Sequence, residues 1–360
     1  MGGAKGGGPA DGRTDGPWSH RASEPTDRLT AGPPDRPLVP VIIGPTGVGK
    51  TAVAAAWAER EPITVISADA RQVYRRLDVG TAKPDRGLLA RVPHLGIDLV
   101  EPGERYSAGR FAREASVWLA AVRGEGRRPL VVGGTGFYIR ALAEGLFREP
   151  PLDPVRREQL GAWTTRMPVA QLAHWAARLD RRFGGGGRQR AARVLEVALL
   201  TGRSLSWWQR EARETGVMRP WYIHLTLPRD ALQRRIADRV DRMLAAGLVD
   251  EVRHVLAQGV PPRAPGLDGV GYREVVALIE GRLPASSLRD AILVATRRYA
   301  KRQETWFRNQ LRGGMGGGTG EGSVWTVDAT EQPEVLAARI RERWHAATRP
   351  PSPVSSPVRK

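Results

Sequence analysis

The 360-residue sequence predicts an α/β fold, a parallel sheet flanked by helices and carrying an all-helical insertion. Three observations lead there. Short apolar runs that end in glycine or an acid alternate with stretches of helical periodicity, the pattern of strands joined by crossover helices. Strand signals vanish from 151 to 218 while helical ones persist. The first run leads into GPTGVGKT, Gly44 to Thr51, whose spacing builds a loop for phosphate between a strand and a helix. The class is therefore a P-loop NTPase-like core, with ligands expected at the carboxyl ends of its strands.

LVPVIIG, beginning at Leu38, is the first expected strand, and TAVAAAWAER its helix. ITVISAD (from Ile63), RPLVVGG (from Arg128), WYIHLTL (from Trp221) and SVWTVDA (from Ser323) follow as further strands. The ends at Gly44, Asp69 and Gly134 are expected to converge. AQLAHWAARLD and RAARVLEVALL supply helices of the insertion. After the fourth strand, ALQRRIADRVDRMLAAGLVDEVRHVLAQG reads as one long helix with Leu232, Ile236, Val240, Met243 and Leu244 on one face. Glycine tracts after Phe183 and Arg312 are expected to be loops. Residues 1–36 and 347–360, rich in Gly, Pro, Ser and Arg, are expected to be disordered tails. The core then comprises 37–150 and 219–335, with 151–218 inserted.

A formal charge of +18 implies attraction to a polyanion, nucleic acid first, although arginine on solvated faces is the competing explanation. The absence of cysteine excludes disulfides, thiolate metal sites and cysteine nucleophiles. No apolar run approaches the roughly 18 residues of a spanning helix, and the first residues lack a signal core, so a cytoplasmic protein without membrane attachment is expected.

In the phosphate loop, Gly44, Gly47 and Gly49 let backbone N–H groups surround an anion, and the following helix adds its positive end. Pro45, Thr46 and Val48 complete the cradle. Lys50 neutralises phosphate charge, and the Thr51 hydroxyl suits a magnesium ion. This establishes phosphate binding but not which phosphate. A phosphoryl-transferring relative would carry an acid after a second apolar strand, yet RPLVVGGTG has none. The carboxylate stands instead at Asp69, where it suits either a metal's surroundings or a general base.

The chain resembles the tRNA dimethylallyltransferases, also called isopentenyltransferases. The likeness runs through GPTGVGKT, ISADARQVYRRLDVGTAKP, VPHLGIDLVEPGERYSAGRF, RPLVVGGTGFYIRAL, QRAARVLEVALLTGRSLS, LDGVGYREV and ATRRYAKRQETWFRN. It implies that the loop holds the diphosphate of dimethylallyl diphosphate, with Mg2+, and that the prenyl group passes to N6 of adenine 37, in the anticodon loop of tRNAs reading codons that begin with U. Asp69 is then the expected base, Lys50 and Thr135 catalytic companions, and Arg239 a diphosphate ligand, with Arg235 a weaker candidate on the same helix face. The family's tRNA-contacting segments match Asp69, Ala70, Arg71 and Gln72, then Gln189, Arg190 and Arg193, then Gly271, Tyr272 and Arg273. Gln72 has the amide to read a flipped adenine. Ala70-Arg71 and Gly184–Gly187 depart from the family's usual residues. A monomer is expected. Adenylate prenyl transfer on the same fold, a small-molecule kinase, and a nucleotide-sensing RNA-binding protein are the alternatives.

Overall fold

The computed structural model describes residues 36–148, 150–312 and 324–348. Its first half comprises β1 (Leu38–Ile43), α1 (Lys50–Ala58), β2 (Ile63–Ser67), α2 (Arg86–Arg91), β3 (His94–Leu95), α3 (Ala108–Gly124), β4 (Arg128–Gly133) and α4 (Gly136–Glu144). Four helices follow: α5 (Pro154–Arg166), α6 (Val169–Leu179), α7 (Arg188–Thr201) and α8 (Leu205–Glu211). The chain then returns to the sheet through β5 (Arg219–Thr226), α9 (Arg229–Ala245), α10 (Leu248–Ala257), α11 (Tyr272–Ile279), α12 (Leu288–Arg312), β6 (Trp325–Asp328) and α13 (Pro333–Thr348).

All six strands are parallel, in the order β3-β2-β4-β1-β5-β6. The five expected strands form, and the sheet gains the two-residue β3 at its edge, too short to leave a periodic signal. Alternation along β1 sends Val39, Val41 and Ile43 into one core with α3, α4, α9 and α12, while Ile42 enters the opposite core with α1 and α13. Both faces of the sheet are therefore covered, which is why its strands read as continuous apolar runs rather than alternating ones.

The expected long helix after the fourth strand is a correction. It is two helices, α9 and α10, because Gly247 adopts φ 88°, a left-handed conformation that ends one helix and starts the next. Leu232, Ile236 and Val240 are buried as expected, with Met243 and Leu244 partly so. The tails are also corrected where they are described. Arg36 is anchored by donating to the carbonyl of Ala143 at 3.0 Å, and α13 continues to Thr348 because Leu336, Ile340 and Trp344 pack against the sheet. The remainder of both tails, and the glycine tract at 313–323, lie outside the described residues.

Residues 184–187 form an open loop before α7. Helices α6 and α7 enclose a small core of Leu172, Ala176, Ala191, Val194 and Leu195. The described residues, these helices included, belong to one compact unit. Among them no helix is long and apolar enough to cross a membrane.

Candidate active site

The phosphate loop connects β1 to α1 at the centre of the sheet. Gly44, Gly47 and Gly49 have φ of 149°, 83° and 106°, values that side-chain-bearing residues avoid. Lys50 donates to the carbonyls of Gly44 at 3.0 Å and Pro45 at 2.8 Å. Its ammonium is withdrawn from water, and burial lowers its pKa from 10.5 to about 8, opposed by the charge of Asp69 and assisted by that of Arg239. Thr51 is exposed at the first turn of α1.

β2 and β4 deliver their carboxyl ends beside this loop. Gly133 is required there because a Cβ at that position would stand 2.1 Å from the carbonyl oxygen of Ala68. The close approach lets Thr135 Oγ1 accept the N–H of Ala70 at 2.9 Å, which pins the turn carrying Asp69. Asp69 Oδ1 accepts the N–H of Arg71 at 2.8 Å. Among the described residues Oδ2 has no hydrogen-bond partner. Asp69 lies close enough to Lys50 and Arg239 to oppose the lowering of both their pKa values by burial, and it contributes to the raised pKa of Tyr138 and Tyr299.

Arg239 and Arg235 share a face of α9 but differ in use. Arg235 gives its guanidinium to the carbonyls of Val48 and Ala329, both at 3.1 Å, and so props the phosphate loop from behind. Arg239 makes one long contact, 3.4 Å to Thr81 O, and its pKa is lowered by burial against the pull of Asp69. A desolvated cation with weak internal partners, facing Lys50 and Asp69, is suited to an anionic ligand. Among the described residues no group of three or more His, Asp and Glu side chains is placed to hold a metal. The exposed Thr51 hydroxyl beside the cradle has the donor chemistry for a hard divalent cation.

The residues matched to RNA contacts divide. Gln189 and Arg190 are exposed on α7, and Arg273 is exposed on α11. Arg193 lines a cleft of about 900 Å³ between α3 and α4 on one side and α7 and α8 on the other, and it pairs with Glu196 at 3.2 Å. Phe137, in the first turn of α4 and only two residues from Thr135, lines the same cleft. Arg71 donates to the carbonyl of Pro265 at 2.9 Å, which ties the Asp69 turn to the loop before α11. Gly271 is buried, capping α11 with its N–H on Glu274 at 2.7 Å.

Two residues sit elsewhere than their expected contacts require. Tyr272 is 1% exposed and donates its hydroxyl to Glu251 at 2.7 Å, so it belongs to the core. Gln72 has both ends of its amide engaged, Oε1 accepting from Ser67 at 2.8 Å and Nε2 donating to Ala82 O at 3.3 Å. It fastens β2 to the loop that touches Arg239.

Sequence reasoning missed three supporting residues. Glu251 accepts the N–H groups of Asp78, Val79 and Gly80 at 2.6, 2.7 and 3.2 Å, filling an anion nest with a protein carboxylate. Lys83, with a side chain 4% exposed, gathers Tyr74 O and Asp78. Gln303 joins the phosphate loop to Gly134. Only the i, i+4, i+7 stripe Tyr299, Gln303, Trp306 offered a signal, and it reads equally as core packing. His94 is structural: its Nδ1 donates to the carbonyl of Val92 at 2.7 Å, and burial lowers its pKa.

Residues 72–310 match the model of the IPP transferase family, and residues 37–93 that of isopentenyl transferases. A tRNA dimethylallyltransferase of Halorhodospira halophila is 43% identical over 279 residues, 76% of this chain and 90% of the relative. One from Syntrophobacter fumaroxidans is 40% identical over 279 residues, covering 76% and 81%. Among solved structures, the full-length tRNA isopentenylpyrophosphate transferase of Bacillus halodurans superposes with a TM-score of 0.61 at 29% identity, covering 87% of this chain and 97% of that one. A eukaryotic dimethylallyltransferase acting on tRNA has the same fold, with a TM-score of 0.70 at 23% identity and coverage of 89% and 82%.

Proposed function

The chain belongs to the IPP transferase family, and from that premise we propose that it transfers the dimethylallyl group of dimethylallyl diphosphate to N6 of adenine 37 in tRNAs reading codons that begin with U. The observation that supports the reaction type is the placement of one carboxylate, Asp69 with Oδ2 open, beside a phosphate cradle whose neighbouring strand ends in Gly-Gly-Thr. A phosphoryl transferase would need its acid on the metal; a prenyl transferase needs it at the nucleophile.

The diphosphate occupies the Gly44–Thr51 cradle. Lys50 exchanges its two loop carbonyls for phosphate oxygens, and Arg239 completes the charge balance. Thr51 would hold a magnesium ion, whose charge would offset that building on the departing diphosphate. These fixed donors act most strongly as the allylic carbon–oxygen bond breaks, which is where they lower the barrier. The N6 lone pair forms the new carbon–nitrogen bond, the bonding pair leaves with the diphosphate, and the N6 proton passes to Asp69 Oδ2. Thr135 keeps Asp69 in place through Ala70.

A stacked adenine cannot reach this depth, so the base is flipped into the site. The cleft beside Phe137, with Arg193 on its wall and Gln189 and Arg190 nearby on α7, receives the anticodon loop. Arg273, exposed on α11, and Arg71, in the turn after Asp69, supply further cations for the RNA backbone. Every group used here lies on one chain, in keeping with a monomer as the working unit of this reading.

Mass spectrometry of nucleosides from tRNA incubated with the protein, dimethylallyl diphosphate and Mg2+ tests the proposal. N6-(dimethylallyl)adenosine at position 37 is expected. Prenylation of free AMP with none on tRNA, or phosphoryl transfer from ATP to an acceptor, overturns it.

A further inference from the structure

Three residues at helical spacing on α12 meet three consecutive residues at the exit of β4. Tyr299 reaches Thr135, whose side chain offsets part of the burial that raises the tyrosine's pKa. Gln303, 6% exposed, donates from Nε2 to the carbonyl of Gly134 at 2.9 Å. Trp306 covers Gly136, where a Cβ would lie 2.1 Å from its ring. The other arm of Gln303 leaves this turn altogether: Oε1 accepts the N–H of Thr46, inside the phosphate loop, at 2.9 Å. One buried amide thus satisfies backbone groups of two separate loops, and neither of its arms is left over.

Resting on the reaction proposed above, we propose that Gln303 is a positioning residue that holds the loop carrying the leaving group in register with the loop carrying the base's support. In-line transfer needs the diphosphate oxygen, the allylic carbon and N6 aligned, and a misplacement of about 1 Å costs on the order of 10²-fold in rate. The phosphate loop fixes the first of these positions. Thr135, through Ala70 and Asp69, fixes the last. Gln303 is a direct bond between the two loops, made from a rigid helix whose position is set by packing on α9. The small size of Gly134 belongs to the same device, because a Cβ there would stand 2.2 Å from Gln303 Nε2.

The test compares the full-length wild type with Gln303→Met, Gln303→Glu and Gly134→Ala in single-turnover prenyl transfer to an anticodon stem-loop RNA, alongside calorimetric binding of pyrophosphate and of the RNA. Gln303→Met removes both bonds and is expected to slow transfer on saturating substrates by about 10²-fold while pyrophosphate and RNA affinities stay within about threefold. Gln303→Glu keeps the acceptor for Thr46 but sets oxygen against oxygen at Gly134. Its rate is expected to fall less and to recover in part, relative to wild type at the same pH, as acidification gives the carboxyl a proton to donate. Gly134→Ala is expected to match Gln303→Met, and the double variant to be no slower than either, since both break one linkage. Wild-type turnover in Gln303→Met, or a rate loss fully explained by lost pyrophosphate binding, overturns the proposal. If Gln303→Met fails to fold, Gln303→Glu and Gly134→Ala are read by the same two criteria. A wild-type protein that transfers no prenyl group refutes the reaction itself, before any variant is compared.

Discussion

Asp69 and Lys50 are neighbours of opposite charge, and each can be probed separately. Asp69→Asn keeps the Arg71 contact geometry but removes the proton acceptor. Turnover is expected to fall about 10²-fold or more with pyrophosphate affinity nearly unchanged. If affinity collapses while turnover on bound donor persists, the carboxylate serves the metal. Lys50 in the free protein loses its proton around pH 8, well below the 10.5 of an unperturbed lysine, because burial penalises the charge. Only the charged form pairs with diphosphate, so pyrophosphate affinity is expected to weaken as pH rises through 8, and binding at pH 9 to draw a proton onto the protein. Calorimetry in two buffers of different ionisation enthalpy measures that uptake, and the part due to Lys50 should disappear in Lys50→Met.

Between elements, the notable device is the carboxylate of Glu251, reaching from α10 into the 78–80 turn. It satisfies three backbone N–H groups and the buried Tyr272 hydroxyl at once. Glu251→Ala leaves them without an acceptor, each worth about 1–3 kcal/mol where water cannot replace it. Since the turn is partly hydrated, a loss of about 2–4 kcal/mol in urea unfolding is expected, with Glu251→Gln recovering part of it. The same turn carries Thr81, whose carbonyl holds Arg239. Glu251→Ala is therefore also expected to weaken pyrophosphate binding, whereas a wholly local effect would leave it untouched.

At the scale of the molecule, the charge of +18 includes arginines around the cleft and along α7, and Arg273 on α11. RNA binding is expected to weaken steeply with salt, since each neutralised phosphate contributes about −0.7 to −0.9 to the log–log slope. Arg190→Ala, which removes an exposed cation that makes no ion pair among the described residues, should reduce the slope by about that amount and leave turnover on bound RNA unchanged. If neither affinity nor slope responds, α7 does not follow the RNA backbone.

Sequence alone determined what depends on local repetition and local chemistry. The five longer strands were legible because burial on both faces writes uninterrupted apolar runs, and the phosphate loop because its glycines answer to backbone geometry within eight residues. Asp69 stood out at a strand end, where a parallel sheet gathers its ligands, and Thr135 only through the resemblance carried by RPLVVGGTG. The break at Gly247 was hidden because a glycine amid helical periodicity reads as tolerated until its φ is known. Tyr272 and Gln72 looked available because nothing near them in sequence announces Glu251 or Ser67 and Ala82 as partners. Only the tertiary structure decided that Arg235 braces the loop while Arg239 lies beside Lys50 and Asp69, and that Gln303 ties two loops more than 160 residues away in sequence. Hydrogen bonds between distant segments have no period and no motif, so they exist for the reader only once the chain has folded.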